Sequence, residues 1–265
     1  MATMYVDVEA LNFRTTPAVQ PDNRNPRVPV LHLCQKVDTL GSVDANGWAK
    51  IRVMSHAGLN EEGFVSGKFL RNPASEAREA LVLQAITEWL RFEKGLGEET
   101  DDPFFKHIGE MWRAIGENHD GKDTDIFWSA AAISFMVRNA GGAFPMYGQF
   151  KFAGQHSKYV HDAIKRRFAE DTTAPFWGFR LFEAKPQIGD IVCNWRETPR
   201  TFSDATVRDD YKGHCDIIVR VGPDDLQAIG GNVGDSVGLT TYRKTPTGFV
   251  DGSGKAFALL VNRVS

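Results

Sequence analysis

Three side chains in this sequence could together move an acyl group: the hydroxyl of Ser129, the imidazole of His214 and the amide of Asn232. Acyl transfer needs a nucleophile, a base to take its proton and a group that orients the base. Ser129 stands in Phe127-Trp128-Ser129-Ala130-Ala131-Ala132, which reads as the start of a helix. A helix N-terminus presents unpaired N–H groups and partial positive charge, so a nucleophile in its first turn has oxyanion donors beside it. The small residues Ala130 to Ala132 let that turn pack close to a sheet. His214 follows Gly213 and opens a strand, and Asn232 begins the turn after the adjacent strand. Spacing alone leads no further than acyl transfer as a chemistry open to this set.

Other residues compete for these roles. A thiol ionises readily near a helix N-terminus and a hydroxyl does not. Ser129 must therefore lose its proton during attack, and it has two readings: a working Ser–His hydrolase, which His214 and Asn232 beside it favour, or a retired site that only binds. Cys193 lies late in a neighbouring strand and is the rival nucleophile, against the reading of a buried core thiol. Cys215 follows His214 and should face the opposite side of its strand. Asp216, two residues from His214, shares its face and is the rival orienter. His156 and Tyr159 share a helical face at i, i+3 spacing. They either line a cleft or pack with one satisfied hydrogen bond. His107, His119 and His161 lack ligand spacing and read as surface residues. Arg196 and Arg200 are placed to meet a substrate carboxylate, or are ordinary exposed arginines. Trp89, Phe104, Phe105 and Trp112 read as core.

These residues need a scaffold of two kinds. Residues 4–71 alternate short β-rich pieces (5–8, 30–33, 35–40, 48–53 and 63–65) with Pro, Gly, Asn and Asp, and predict a small barrel. The polar, Pro-containing stretch 20–29 reads as a long loop. After residue 71 the pattern changes. Asn72-Pro73 predicts a helix start with Val82, Ile86, Trp89 and Leu90 on one face, ending at Gly95 and Gly97. Asp102-Pro103 opens a second helix, Trp128 a third that stops at Gly141-Gly142, and residues 154–169 form a fourth. Strands follow at 178–183, 188–194, 214–221, 226–231, 236–242 and 256–261. Helices first and antiparallel strands second predict an α+β domain over 72–265, behind a first domain over 1–71.

The chain has 265 residues and a net charge of -3. Without a basic excess, nucleic-acid binding is not expected. Three cysteines with no CxxC or Cys/His spacing exclude a disulfide framework and a structural zinc site as expectations. No apolar run is long enough to span a bilayer, and the opening residues lack the basic stretch and apolar core of a secretory signal. The proposed chemistry requires neither metal nor cofactor, and a monomer is the default.

Two resemblances give these residues a context. Leu11-Asn12-Phe13-Arg14-Thr15-Thr16-Pro17, Asn46-Gly47-Trp48-Ala49-Lys50-Ile51 and Glu62 to Leu70 resemble, in order, three motifs of bacterial SH3 domains. In that resemblance Gly47 serves a turn and Trp48 packs the barrel. It implies a module that targets an attached enzyme to cell-wall peptides, against the alternative of bracing its neighbour. The long 20–29 segment departs from the family's short loop.

Further on, Phe127-Trp128-Ser129-Ala130-Ala131 is similar to the "WCAAFVSW" helix start of papain-like CHAP and NlpC-type cell-wall amidases. Ile188-Gly189-Asp190-Ile191-Val192 is similar to their "PGDIV" strand, His214-Cys215-Asp216-Ile217 to their "HVGIVV" strand and Gly230-Gly231-Asn232 to their "EGN". A nearer likeness is to an uncharacterised bacterial family with "WSAAFIS" and "HCDIVV" signatures, where Ser at this position is usual, and Gln155-His156-Ser157-Lys158-Tyr159 resembles an "H-x-x-Y" element of it. The resemblance implies a papain-like fold, Ser129 as nucleophile, His214 as base and Asn232 as orienter. It also implies cleavage of an amide bond in peptidoglycan or its stem peptides, in the periplasm or wall after non-classical export. The alternatives are a non-catalytic wall-binding module and an antibacterial toxin acting on another amide or ester, with a secretion apparatus or immunity protein as further partners.

Overall fold

Period-two alternation of apolar and polar residues organises the first of two units, Met1–Ala74. In the computed structural model, which describes residues 1–54 and 58–265, this unit holds β1 (Ala2–Val6), β2 (Ala10–Asn12), β3 (Val30–His32), β4 (Lys36–Thr39), β5 (Trp48–Met54), β6 (Asn60–Ser66) and β7 (Leu70–Arg71). Five strands form an antiparallel sheet in the order β6-β5-β4-β1-β7, and β2 pairs with β3. Val6, Phe13, Leu31, Val37, Ala49, Ile51, Val53 and Val65 make its core.

The sheet is not closed into the expected barrel. It ends on β7, which meets β1 through only two residue pairs, Tyr5↔Arg71 and Val6↔Leu70, too few to carry a ladder round to β6. Trp48 is a second correction. It is half-buried at the start of β5, because the alternating register gives the inward positions to Ala49, Ile51 and Val53. The 20–29 loop is pinned by its asparagines. Asn23 is buried and donates to Thr16 Oγ1 at 2.7 Å and to the Ala18 carbonyl at 2.8 Å. Asn25 Oδ1 accepts from the Arg27 and Val28 amides.

The second unit, Ser75–Ser265, begins with helices. These are α1 (Glu76–Arg91), α2 (Phe104–Arg113), α3 (Ser129–Ala140) and α4 (His156–Phe168). α1 starts three residues later than Asn72-Pro73 suggested, because Ser75 supplies the cap by accepting from the Arg78 amide. The strands are β8 (Phe176–Phe179), β9 (Ile191–Trp195), β10 (Gly213–Val221), β11 (Asp225–Gly231), β12 (Val237–Arg243) and β13 (Ala256–Asn262). They form one antiparallel sheet in the order β12-β11-β10-β9-β13-β8. A short helix, α5 (Phe202–Val207), was not expected; a reciprocal Thr201/Asp204 capping box starts it. The molecule is therefore mixed α/β with several antiparallel sheets.

A buried ionic cluster holds α1 to the sheet. The Arg78 guanidinium donates to Asp190 Oδ1 at 2.8 Å, to the Ile188 carbonyl at 2.7 Å and to the Asn262 carbonyl at 2.5 Å. Asp190 also accepts from the amides of Asn262 and Gln187. Asn262 Nδ2 donates to Tyr147 Oη, whose hydroxyl donates to the Ala77 carbonyl. Burial pushes the Asp190 carboxyl above its ordinary range, against the pull of Arg78. Among the described residues no helix is long and apolar enough to cross a membrane.

Candidate active site

Close packing of α3 on β11 places Ser129. A Cβ at Gly231 would stand 2.4 Å from Ala132 Cβ and 2.7 Å from the Trp128 ring, so only glycine admits this approach. The Trp128 indole is buried and donates to Glu99 Oε2 at 2.7 Å, which fixes the residue before the helix. Ser129 is the first helical residue. It lines a cleft of about 950 Å³, together with Phe127, Phe152, His156, Arg196 and Tyr211. Trp112, expected as core, is buried but also reaches this cleft.

The Ser129 hydroxyl meets His156, not His214. Ser129 Oγ lies 2.6 Å from His156 Nε2, and His156 Nδ1 is hydrogen-bonded to the Tyr159 hydroxyl. His156 opens α4, and the i, i+3 spacing brings Tyr159 beneath it. Burial holds the His156 imidazole well below its usual range, and the neighbouring His214 and Arg196 lower it further. His156 is thus neutral, with one donor and one acceptor nitrogen. If Nδ1–H donates to Tyr159, whose hydroxyl also faces the Cys215 thiol, then Nε2 is free to accept the Ser129 proton. The expected direct Ser129–His214 pairing is replaced by one with His156, because α4 begins with that residue against the Ser129 hydroxyl. The His156 and His214 rings stand 5.4 Å apart.

His214 is oriented from the sheet. Its Nε2 lies 2.8 Å from Asp216 Oδ1, and its Nδ1 lies 3.1 Å from a guanidinium nitrogen of Arg196. Arginine only donates, so Nδ1 is the acceptor and the Nε2 proton goes to Asp216. Asp216 is fully buried and also accepts from the Tyr242 hydroxyl, which in turn accepts from Asn194 Nδ2. Gly230 makes room for this dyad: a Cβ there would stand 1.8 Å from Asp216 Oδ1 and 3.1 Å from His214 Nε2.

Asn232 does not touch His214 with its side chain. It sits at φ 55° in the turn after β11, and that turn directs its amide to Glu99 Oε2 at 3.2 Å. Its carbonyl accepts weakly from Arg196 at 3.4 Å. The side chain that hydrogen-bonds His214 from its own strand face is Asp216, the rival that strand parity allowed, and not Asn232.

Strand register settles where the thiols point. His214 pairs with Asn194 and Cys215 with Cys193, so Cys193 shares the face of Cys215 and not that of His214. Both are buried and free, and burial pushes the Cys215 thiol well up. His107, His119 and His161, expected at the surface, are half-buried. His107 Nδ1 lies 2.5 Å from Arg91, His161 Nδ1 lies 2.8 Å from the Ala205 carbonyl, and His119 faces Asp123 at 3.6 Å. Arg200 is not among the residues lining the cleft, whereas Arg196 is.

Sequence reasoning undervalued His156 and did not identify Glu99 or Tyr242. The signals for His156 were its spacing to Tyr159 and the likeness of residues 155–159 to an H-x-x-Y element of the nearer family. Glu99 and Tyr242 act across 29 and 26 residues on unrelated elements, which no local pattern encodes.

One family model, described as "Uncharacterized protein conserved in bacteria (DUF2272)", matches residues 96–258, more than half of the chain and the whole of the site above. No curated protein and no solved structure matches the chain.

Proposed function

The chain belongs to this bacterial family, DUF2272, and on that premise we propose that it is a peptidoglycan-directed hydrolase cleaving an amide bond through acyl transfer to Ser129. The observation that carries this reading is the 2.6 Å contact between Ser129 Oγ and the Nε2 of a neutral, buried His156 on the cleft wall. The Ser129 oxygen attacks the amide carbonyl and its proton passes to His156 Nε2. The first amides of α3, which have no partner within their own helix, face the charge that develops. His156 then returns the proton to the leaving nitrogen as the C–N bond breaks. Water, deprotonated by the same imidazole, releases the acyl group. Tyr159 positions His156, and the His214–Asp216 dyad stands behind it with Arg196.

The substrate class comes from the likeness to papain-like wall amidases: a nucleophile at the head of a helix packed on an antiparallel sheet, with a histidine at a strand start. The first unit, by its three motifs and its five-stranded sheet, is read as SH3-like and as a binder of wall peptides. The proposed place of action is the periplasm or wall.

Purified sacculi digested with wild type, Ser129→Ala, His156→Gln and Cys193→Ala test this reading. The expectation is fragment release that Ser129→Ala and His156→Gln abolish and Cys193→Ala keeps. Binding to sacculi without release by the wild type identifies a non-catalytic cleft. Neither binding nor release directs the search to another amide or ester.

A further inference from the structure

Arg196 is a cation of this cleft whose partners among the described residues are all uncharged groups. It is half-buried and lines the same cleft as Ser129, yet among the described residues no carboxylate lies within ion-pair distance of it. Of the other basic side chains lining the cleft, Lys151 is exposed and the remaining two are paired. Lys158 pairs with Asp209 at 3.0 Å, and Lys212 pairs with Glu197 at 2.7 Å, so the carboxylate next in sequence to Arg196 is committed elsewhere. Asp210 is held by Arg208 at 2.9 Å. The partners Arg196 does have are neutral: the His214 Nδ1 at 3.1 Å, the Asn232 carbonyl at 3.4 Å and the face of Phe127 with its centroid at 5.8 Å. Both hydrogen bonds use one terminal nitrogen, so the other terminal nitrogen and Nε keep their donors. A guanidinium offers its donors in a planar fork that matches a carboxylate.

Its position relates that fork to the chemistry. Arg196 contacts His214, whose ring is 5.4 Å from that of His156, and its charge is felt at His156. Phe127, over which the guanidinium lies, is two residues before Ser129 and is 55% exposed. An anion held by Arg196 therefore occupies the same cleft as the Ser129 oxygen.

Resting on the hydrolase reading above for the identity of the nucleophile, we propose that Arg196 is the substrate-carboxylate anchor. The preferred substrates are then acylated amino acids or peptides whose free carboxylate lies in the same cleft as the scissile amide. Arg196 thereby sets specificity in the ground state, whereas Ser129 and His156 carry the bond cleavage.

The test is a binding measurement that does not require turnover. Full-length Ser129→Ala, labelled with 15N at arginine side chains, is titrated with N-acetyl-alanyl-alanine of L and D configuration and with the corresponding C-terminal amides. The expected result is a shift of the Arg196 Nε–H resonance and affinity for at least one free acid about 10- to 100-fold above its amide, the range of a charge-assisted hydrogen-bonded pair. In Ser129→Ala/Arg196→Gln that preference disappears. In Ser129→Ala/Arg196→Lys, which keeps the charge without the fork, part of it survives, and this variant also reports whether the cleft still folds. Equal binding of acid and amide, a preference that persists without Arg196, or no binding of any of the four probes at millimolar concentration overturns the assignment. An inert wild type on sacculi combined with a normal acid preference would reject the hydrolase reading and leave the anchor standing.

Discussion

Two buried polar clusters in the second unit are made from similar residues and are finished differently. Around Asp190, the charges of Arg78 and Asp190 meet directly, and backbone groups, Asn262 and Tyr147 take up the remaining donors and acceptors. Around Ser129 the same kinds of side chain are left open. A serine hydroxyl meets a neutral imidazole, a second imidazole spans a carboxylate and a guanidinium, and among the described residues that guanidinium has no counter-carboxylate. The first arrangement resists change because any lost member strands a buried charge. The second keeps unused hydrogen-bonding capacity beside a cleft, which is what a reacting or binding partner requires. Burial and polarity alone thus do not distinguish a clamp from a site; the state of satisfaction does.

The comparison is sharpened most strongly at Ser129. Ser129→Ala is expected to lower the rate of amide cleavage by about 10⁶-fold, the scale seen when a triad nucleophile is removed. Its melting temperature should change little, since a small buried hydroxyl gives up one hydrogen bond. Kinetic assay beside calorimetry checks both halves. The converse holds at the clamp. Asp190→Ala should cost about 3–5 kcal/mol by leaving Arg78 buried and unpaired, as read by denaturant unfolding. Asp190→Asn, which keeps an acceptor at a position where burial already disfavours the charge, should cost about 1–2 kcal/mol. Equal losses for the two variants would erase the distinction drawn between the clusters.

Tyr159→Phe is a smaller perturbation. It removes the hydroxyl from His156 Nδ1 and should slow cleavage about tenfold, with a stability loss near 1 kcal/mol. A rate unchanged in Tyr159→Phe would mean that His156 needs no positioning from below. The smallest effect is a pH slope. Because burial lowers the His156 pKa from its ordinary 6.5, the unfolded chain takes up a proton that the folded chain refuses as pH falls below that value. The stability His156 contributes is therefore present above about 6.5 and is lost progressively as pH drops toward the folded value. Thermal unfolding of wild type and His156→Gln between about pH 4.5 and 7.5 should show a shallower acid decline in the variant. Parallel curves would mean that His156 takes its proton as easily when folded as when unfolded.

The sequence made parts of this arrangement legible and hid others for physical reasons. Ser129 at a helix start, His214 at a strand start and the inward Ala130–Ala132 could be read because each depends on local pattern. The order of helices before strands was readable for the same cause. His156 could not be paired with Ser129 from pattern, because their contact depends on how α4 lies against α3. Asp216 and Asn232 were both candidates, and the choice between them rested on a backbone detail, the φ of 55° at Asn232, which turned its amide to Glu99. In the first unit the β-rich pieces were legible, but closure was not, because it depends on how many residues the last strand contributes to its ladder. Trp48 misled because a large apolar residue suggests core, while alternation along β5 is decided by Ala49, Ile51 and Val53 together.

In the proposed mechanism the Ser129 oxygen is the nucleophile and His156 draws off its proton. Intact-mass and peptide analysis after treatment with a fluorophosphonate tests it most directly. The account predicts a single phosphonyl adduct on Ser129, slowed by orders of magnitude in His156→Gln and retained in Cys193→Ala. An adduct on another residue, or labelling of Ser129 that proceeds at full rate without His156, would contradict it.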